Sequence, residues 1–210
     1  MTLRSTERLA LAHGACVIVE LGDPDVALAS LAPAEQDRAK AMAPLRRGSY
    51  VAGRTALHLA LATDAPILSD DRGAPILPAG WVGSVSHKAT CAAALVAPAG
   101  RGHIGVDLED AAPPRQDIAR RILTPREQDA LPDRGRAVTL RFSIKEAIYK
   151  AIDPYVRRYV GFTEVELDFL GDDVTVTTAL PFAIEATWRE YAGYWLATAR
   201  ASPAHPPDRI

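Results

Sequence analysis

Apolar and polar positions along the chain alternate with two periods, and each period marks a different kind of element. Cys16–Glu20, apolar from Cys16 to Val19, reads as a short strand. Pro33 stands where a first helical residue is favoured, and Ala34–Met42 continues as a helix. Leu45–Ala62 sets Val51, Leu57 and Leu61 at helical spacing and predicts a longer helix. Asp70–Pro78, with Gly73, Pro75 and Pro78, is turn-rich. Val82–His87, Cys91–Val96 and Ile104–Leu108 carry alternating or continuous apolar runs and predict three strands. Thr124-Pro125-Arg126-Glu127 signals a helix start, with Thr124 as cap, Pro125 first in the helix and Glu127 closing a capping box. Arg136–Ile152 then predicts a long helix that Pro154 should stop. Val165–Phe169, Val174–Thr178, Ala183–Thr187 and Tyr194–Arg200 alternate as strands do.

Helices and mostly antiparallel strands thus come in two rounds, an α+β layout. The break falls in Asp110–Thr124, which gives expected halves of 1–112 and 113–201 and a frayed tail over 202–210. Ala111–Pro114 and Leu131–Gly135 read as loops, and no internal repeat or low-complexity run is expected.

Composition changes this picture little. With 210 residues, 48% of them hydrophobic and 24% charged, the chain can build a core without disulfides, and Cys16 and Cys91 are expected to stay reduced. The first residues lack the apolar core of a secretory signal, and nothing approaches the roughly 18 apolar residues of a spanning helix. A cytoplasmic protein without membrane partners is expected. A net charge of −2 supplies no field to draw it to nucleic acid. Only Lys40, Lys88, Lys145 and Lys150 are lysines among 24 basic residues, and two of them share one short segment.

Four groups of residues could carry chemistry. In Gly105-Val106-Asp107-Leu108-Glu109, strand alternation points Asp107 and Glu109 one way, about 7 Å apart, where they repel unless a cation lies between them. Hard cations such as magnesium take oxygen ligands of this kind, although a solvated polar stripe has the same pattern. In Phe142-Ser143-Ile144-Lys145-Glu146-Ala147-Ile148-Tyr149-Lys150, Glu146 and Lys150 are helix neighbours, with Ile144, Ala147, Ile148 and Ala151 as the core stripe. A surface ion pair would look the same. Gly83-Ser84-Val85-Ser86-His87-Lys88 offers hydroxyl, imidazole and ammonium to a phosphate. Arg46 and Arg47, with Arg54 two turns on, could grip phosphates or form a solvated basic face.

The order of these motifs resembles the phosphopantetheinyl transferases of the surfactin-synthetase and enterobactin-synthetase type. That family shows Gly-(Ile/Val)-Asp-x-Glu on a strand and, later, (Trp/Phe)-(Ser/Cys)-x-Lys-Glu-(Ser/Ala)-x-x-Lys on a helix. Gly105–Glu109 and Phe142–Lys150 match both. Gly83–His87 matches its Ser/Thr-His element and Gly73-Ala74-Pro75 its Gly-x-Pro turn, over a resemblance from about Arg46 to Gly161. Phe142 in place of tryptophan points to the enterobactin-type branch.

The resemblance implies two pseudo-symmetric halves with a coenzyme cleft between them. It also implies transfer of 4′-phosphopantetheine from coenzyme A to a serine of an apo acyl or peptidyl carrier protein, with release of 3′,5′-ADP. Asp107, Glu109 and Glu146 are then metal ligands for Mg2+, or Mn2+, and Glu146 and Lys150 are catalytic. Arg47, Arg54, Ser86, His87 and Lys150 contact the coenzyme. A monomer serving siderophore or secondary-metabolite assembly is expected. Some members carry a lysine where this chain has Ala74, so phosphate contacts there must come from elsewhere. A metal-dependent nuclease or phosphatase also uses carboxylates with a lysine, though usually with the lysine two residues on along a strand. A non-catalytic coenzyme A or carrier-binding homologue would have no need of three clustered acids.

Overall fold

The computed structural model describes residues 3–88, 90–131 and 135–204. Residues 132–134 of the expected loop and 205–210 of the expected tail lie outside the described residues. The chain divides into two units, Met1–Ala99 and Gly100–Ile210.

The first unit opens with β1 (Leu3–Leu11) paired to β2 (Gly14–Leu21) as an antiparallel hairpin. The sequence pattern leaves β1 unassigned because Arg4, Glu7 and Arg8 interrupt it. Its place at the sheet edge explains those charges, since an edge strand needs only modest burial and charge discourages pairing with other chains. Three helices follow: α1 (Pro24–Leu28), α2 (Pro33–Lys40) and α3 (Pro44–Leu61). Each has Pro in its first turn, where the missing N–H is no loss. Then β3 (Trp81–Lys88) and β4 (Cys91–Pro98) complete an antiparallel sheet of order β1-β2-β4-β3.

The core of this unit lies between sheet and helix. Val17, Val19, Leu21, Ala92, Ala94 and Val96 pack with Val51, Ala52, Ala56 and Leu57 of α3. Cys16 and Cys91 are free and buried, and burial pushes their thiols up to about 12 and about 11. Neither offers a reactive thiolate.

In the second unit β5 (His103–Asp110), β9 (Tyr194–Pro203) and β8 (Phe182–Tyr191) form an antiparallel sheet of order β5-β9-β8. A hairpin, β6 (Val165–Leu170) and β7 (Asp173–Thr178), stands apart as a two-stranded sheet. Two short helices, α4 (Ala119–Ile122) and α5 (Pro125–Asp129), precede the long α6 (Arg136–Val156). Ile144, Ala147, Ile148, Ala151 and Ile152 of α6 are fully buried against Ala197, Ala199 and Ala201 of β9. The alanines let helix and sheet approach closely. The expected stripe is therefore the observed one, but α6 runs past Pro154 to a left-handed cap at Arg157. A proline this near the C-terminus removes a single helical hydrogen bond and leaves the last turn intact.

Three expectations need correcting. The division between units falls at Ala99–Gly100, not at 112–113, because β5 pairs along its whole length with β9. Asp107 and Glu109 thus belong to the same unit as α6. Ser202 and Pro203 of the expected tail close β9 opposite Phe182 and Ala183. A repeat also exists: Leu31-Ala-Pro33-Ala-Glu35-Gln36-Asp37 returns as Leu123-Thr-Pro125-Arg-Glu127-Gln128-Asp129.

The two copies bond alike. Gln36 Nε2 donates to the carbonyl of Leu31 at 2.8 Å, and Gln128 Nε2 to that of Leu123 at 3.1 Å. Glu35 accepts from the N–H groups of Ala32 and Ile67, each at 3.1 Å. Glu127 accepts from those of Thr124 at 2.7 Å and Leu167 at 3.1 Å. Both glutamates are buried. Each unit is therefore an antiparallel sheet with one long helix on it, entered through the same buried Glu-Gln turn, and the α+β expectation holds.

Candidate active site

The Asp-x-Glu strand and the Lys-Glu helix meet because Gly105 has no side chain. A Cβ on Gly105 would lie 1.9 Å from the backbone oxygen of Ala147 in α6. Gly105, Asp107 and Glu109 share one face of β5 by strand alternation, and that face is turned to α6. Gly105→Ala is therefore expected to force α6 off β5 and cost about 3 kcal/mol, readable as a fall in the urea midpoint.

Along α6, Ser143, Glu146 and Lys150 fall three and seven residues apart and so share one stripe. Asp107 is only 4% exposed, and this stripe supplies its partners. Lys150 Nζ donates to Asp107 Oδ1 at 2.7 Å and to the carbonyl of Val106 at 2.9 Å. Ser143 Oγ donates to Asp107 Oδ2 at 3.0 Å. Glu146 is half-buried. Burial pushes its carboxyl above the usual carboxylate range; Lys150 draws it down, and Asp107 and Glu109 push it up again. The three acids thus act on one another electrostatically.

The donor set fits a hard divalent cation. It is all oxygen, it is mutually repulsive, and its innermost member already holds a compact cation, the Lys150 ammonium. Among the described residues no three His, Cys, Asp or Glu side chains are gathered closely enough to hold a metal ion in the conformations present.

Asp107 and Glu109 also differ, although strand spacing alone treats them as equals. Asp107 is tied down by two side chains, whereas Glu109 is only partly buried. Asp107→Ala should cost about 1–2 kcal/mol of metal-free stability, by stranding Ser143 and the partly exposed Lys150. Glu109→Gln should leave stability unchanged or slightly raised, because it relieves repulsion. Thermal melts of both variants with chelator present check this contrast.

The remaining expected residues lie in the first unit. Arg47 is partly exposed, with Nη2 3.4 Å from Asp25 Oδ1. His87 is exposed on β3, and the Cβ of a residue at Gly53 would sit 3.6 Å from its ring, so it lies on the α3 side of the sheet. Ser86, its neighbour along the strand, points to the opposite face and is buried. The two do not share a face, contrary to the motif's apparent unity.

Arg54 is 3% exposed. Its guanidinium lies over the Tyr50 ring, and Nη2 donates to Ser69 Oγ at 2.6 Å. Ser69 bridges to Pro75, so Arg54 braces the Gly73-Ala74-Pro75 turn instead of standing open to a ligand. Asp70 Oδ1 secures the same turn by accepting from the N–H groups of Arg72 and Ala74, each at 2.9 Å.

Sequence reasoning missed what holds α6 in rotation. Lys145, one residue before Glu146, points about 100° away around the helix, into the core, where it is fully buried. Its Nζ donates to Glu127 Oε2 at 2.6 Å, to the carbonyl of Ile122 at 2.8 Å and to that of Phe162 at 3.0 Å. Burial pulls its ammonium below the ordinary lysine range, while Glu127 resists. The signal was present: Lys145 lies between Arg141 and Ile148 on a stripe that is otherwise buried.

With this geometry in view, the similarity to known proteins is specific. Residues 34–97 match the 4′-phosphopantetheinyl transferase N-terminal domain, and residues 103–199 match the 4′-phosphopantetheinyl transferase superfamily. The 4′-phosphopantetheinyl transferase Npt of Nocardia iowensis is 34% identical over 67% of this chain and 67% of its own length. Enterobactin synthase component D of Escherichia coli is 33% identical over 58% of this chain and 61% of its own. The holo-[acyl-carrier-protein] synthase of Thermotoga maritima matches 50% of this chain and 65% of its own, at TM-score 0.40 and 21% identity. The chain thus spans about three fifths to two thirds of the length of these relatives. It belongs to the 4′-phosphopantetheinyl transferase superfamily, a class of transferases whose co-substrate is coenzyme A and whose acceptors are carrier proteins.

Proposed function

We propose that this chain moves the 4′-phosphopantetheine arm of coenzyme A onto a serine hydroxyl of an apo acyl or peptidyl carrier protein. The observation that carries this reading is the stripe Ser143–Glu146–Lys150 set against Asp107 beneath Gly105. Asp107, Glu109 and Glu146 would hold Mg2+, or Mn2+. Bound there, the ion would neutralise charge on the pyrophosphate oxygens.

The chain's own residues do the rest. The carrier serine oxygen attacks the β-phosphorus, and the bond from that phosphorus to the oxygen of 3′,5′-ADP breaks. Glu146, on the same helix stripe as Lys150, takes the serine proton directly or through a water. Lys150 is preorganised by Asp107 and the Val106 carbonyl, and offers its remaining donor capacity to the phosphate oxygens as their charge grows. Ser143 fixes Asp107 from the other side and keeps it from following the ammonium. Arg47 and His87 contact the phosphates of the nucleotide end; Ser86 and Arg54 support that surface from within. The enzyme acts as a cytoplasmic monomer, and siderophore or secondary-metabolite assembly is the setting that the likeness to enterobactin synthase component D suggests. Among the described residues no helix is long and apolar enough to cross a membrane, and the net charge is −2.

If Arg47 and His87 grip those phosphates, Arg47→Ala and His87→Ala should each raise the KM for coenzyme A about tenfold and leave that for the carrier unchanged. Dephospho-coenzyme A should narrow the gap for whichever residue meets the 3′-phosphate. Wild-type coenzyme A kinetics in both variants would remove the first unit's contacts from the reading.

A further inference from the structure

Both ring nitrogens of His58, on α3, face acceptors. Nδ1 lies 2.7 Å from the carbonyl oxygen of Thr63, and Nε2 lies 2.8 and 3.0 Å from the two oxygens of Glu35. A neutral imidazole has one donor and one acceptor nitrogen and can make only one of these bonds well; an imidazolium makes both. Glu35 is fully buried at the first copy of the repeated turn, and it also takes the N–H groups of Ala32 and Ile67. One carboxylate therefore fastens α3 to α2 and to the segment after it. The second copy does the same in its unit through Lys145, whose ammonium burial pulls down and Glu127 holds up.

We propose that Glu35 and His58 form a positioning clamp for α3, closed while His58 is an imidazolium, and that opening it weakens coenzyme A binding without slowing the chemical step. This rests on the reading that α3 presents Arg47 to the coenzyme. Among the described residues, four charged groups stand near the clamp. Glu35 faces His58 from α2, and Asp64 acts on it from beyond α3. Arg54 Nε stands 3.9 Å from Glu35 on its other side, and Arg8 of β1 donates to the carbonyl of Leu59 at 2.7 Å.

The direction of the pH effect follows. The hydrogen bond that His58 donates to Glu35 chiefly holds it above its ordinary 6.5, against the pull of burial. Burial opposes charge on Glu35 too, yet the bonds from His58, Ile67 and Ala32 keep it below its ordinary 4.5. A raised histidine contributes its stability in full below 6.5 and loses it as pH climbs through the folded value. A lowered glutamate contributes above 4.5 and loses it as pH falls through the folded value. The clamp is tightest from 4.5 to 6.5 and opens on the alkaline side, the imidazolium giving its proton to solvent.

The test is calorimetric titration of the full chain with coenzyme A and magnesium, without carrier, from about pH 6 to about pH 9. Wild-type Kd should rise about tenfold more over that range than the Kd of His58→Arg, whose cation does not titrate. Changes at every other group are common to both proteins, so only the difference counts. Glu35→Gln, which keeps the shape, should return the NMR titration of His58 to its ordinary value and bring the Kd at about pH 6 to the wild-type alkaline level. The kcat at saturating coenzyme A should stay within about twofold throughout, which a general loss of folded protein would not allow. Parallel Kd curves for wild type and His58→Arg, or an unshifted His58 in wild type, overturn the clamp. If Arg47→Ala binds normally while the His58 difference persists, the clamp stands and only the assignment of Arg47 falls.

Discussion

Lys145→Met is expected to remove about 3–5 kcal/mol of stability, the loss seen when one partner of a buried ion pair is deleted. Lys145 donates three hydrogen bonds inside the core, and its removal leaves the buried Glu127 carboxylate without its ammonium, held by the backbone N–H groups of Thr124 and Leu167 and the nearby Arg141 charge. Of the usual 5–15 kcal/mol for a domain, that is a large share. Adding Glu127→Gln should restore part of the loss, because a neutral amide still accepts from Thr124 and Leu167. Urea denaturation of the single and double variants measures both quantities. A loss below about 1 kcal/mol in the single variant would mean that the pair relaxes into water and does not set the rotation of α6.

Lys150→Ala is expected to lower kcat by about a hundredfold to a thousandfold, with coenzyme A binding changed far less. The Lys150 side chain is 30% exposed and so can reach a ligand, unlike Lys145 five residues earlier. Lys150→Arg should recover only part of the rate, since a planar guanidinium cannot sit between the Val106 carbonyl and Asp107 as a compact ammonium does. The two lysines thus separate by measurement: one moves the denaturation midpoint, the other the turnover number. Near-normal kcat in Lys150→Ala would reduce it to a partner of Asp107.

The parts of this arrangement that follow a period were legible in the sequence. The α6 stripe and the alternation of Asp107 with Glu109 are read from spacing alone, and both are found as expected. Features that depend on distant pairing were not. The boundary between units was misplaced because β5 closes against β9, some ninety residues on, a partnership that no local pattern records. The capping box at Thr124–Glu127 was visible, but a cap looks the same whether it faces water or core, and Lys145 decides which. The family resemblance assigns Arg54 to the coenzyme, whereas its burial against Tyr50 and Ser69 makes it a brace. Five identities in seven residues were too few for Leu31–Asp37 and Leu123–Asp129 to stand out as a repeat until their shared hydrogen bonds were seen.

Group transfer from coenzyme A by the acids and lysine of the second unit is read out by incubating the full chain with coenzyme A, magnesium and a panel of apo-carrier proteins, and weighing each carrier by mass spectrometry. At least one carrier should gain the mass of a single phosphopantetheine group on its serine, and the gain should vanish with chelator and with Glu146→Gln. Coenzyme A binding with no mass gain on any carrier, or an equal gain from Glu146→Gln, would contradict it.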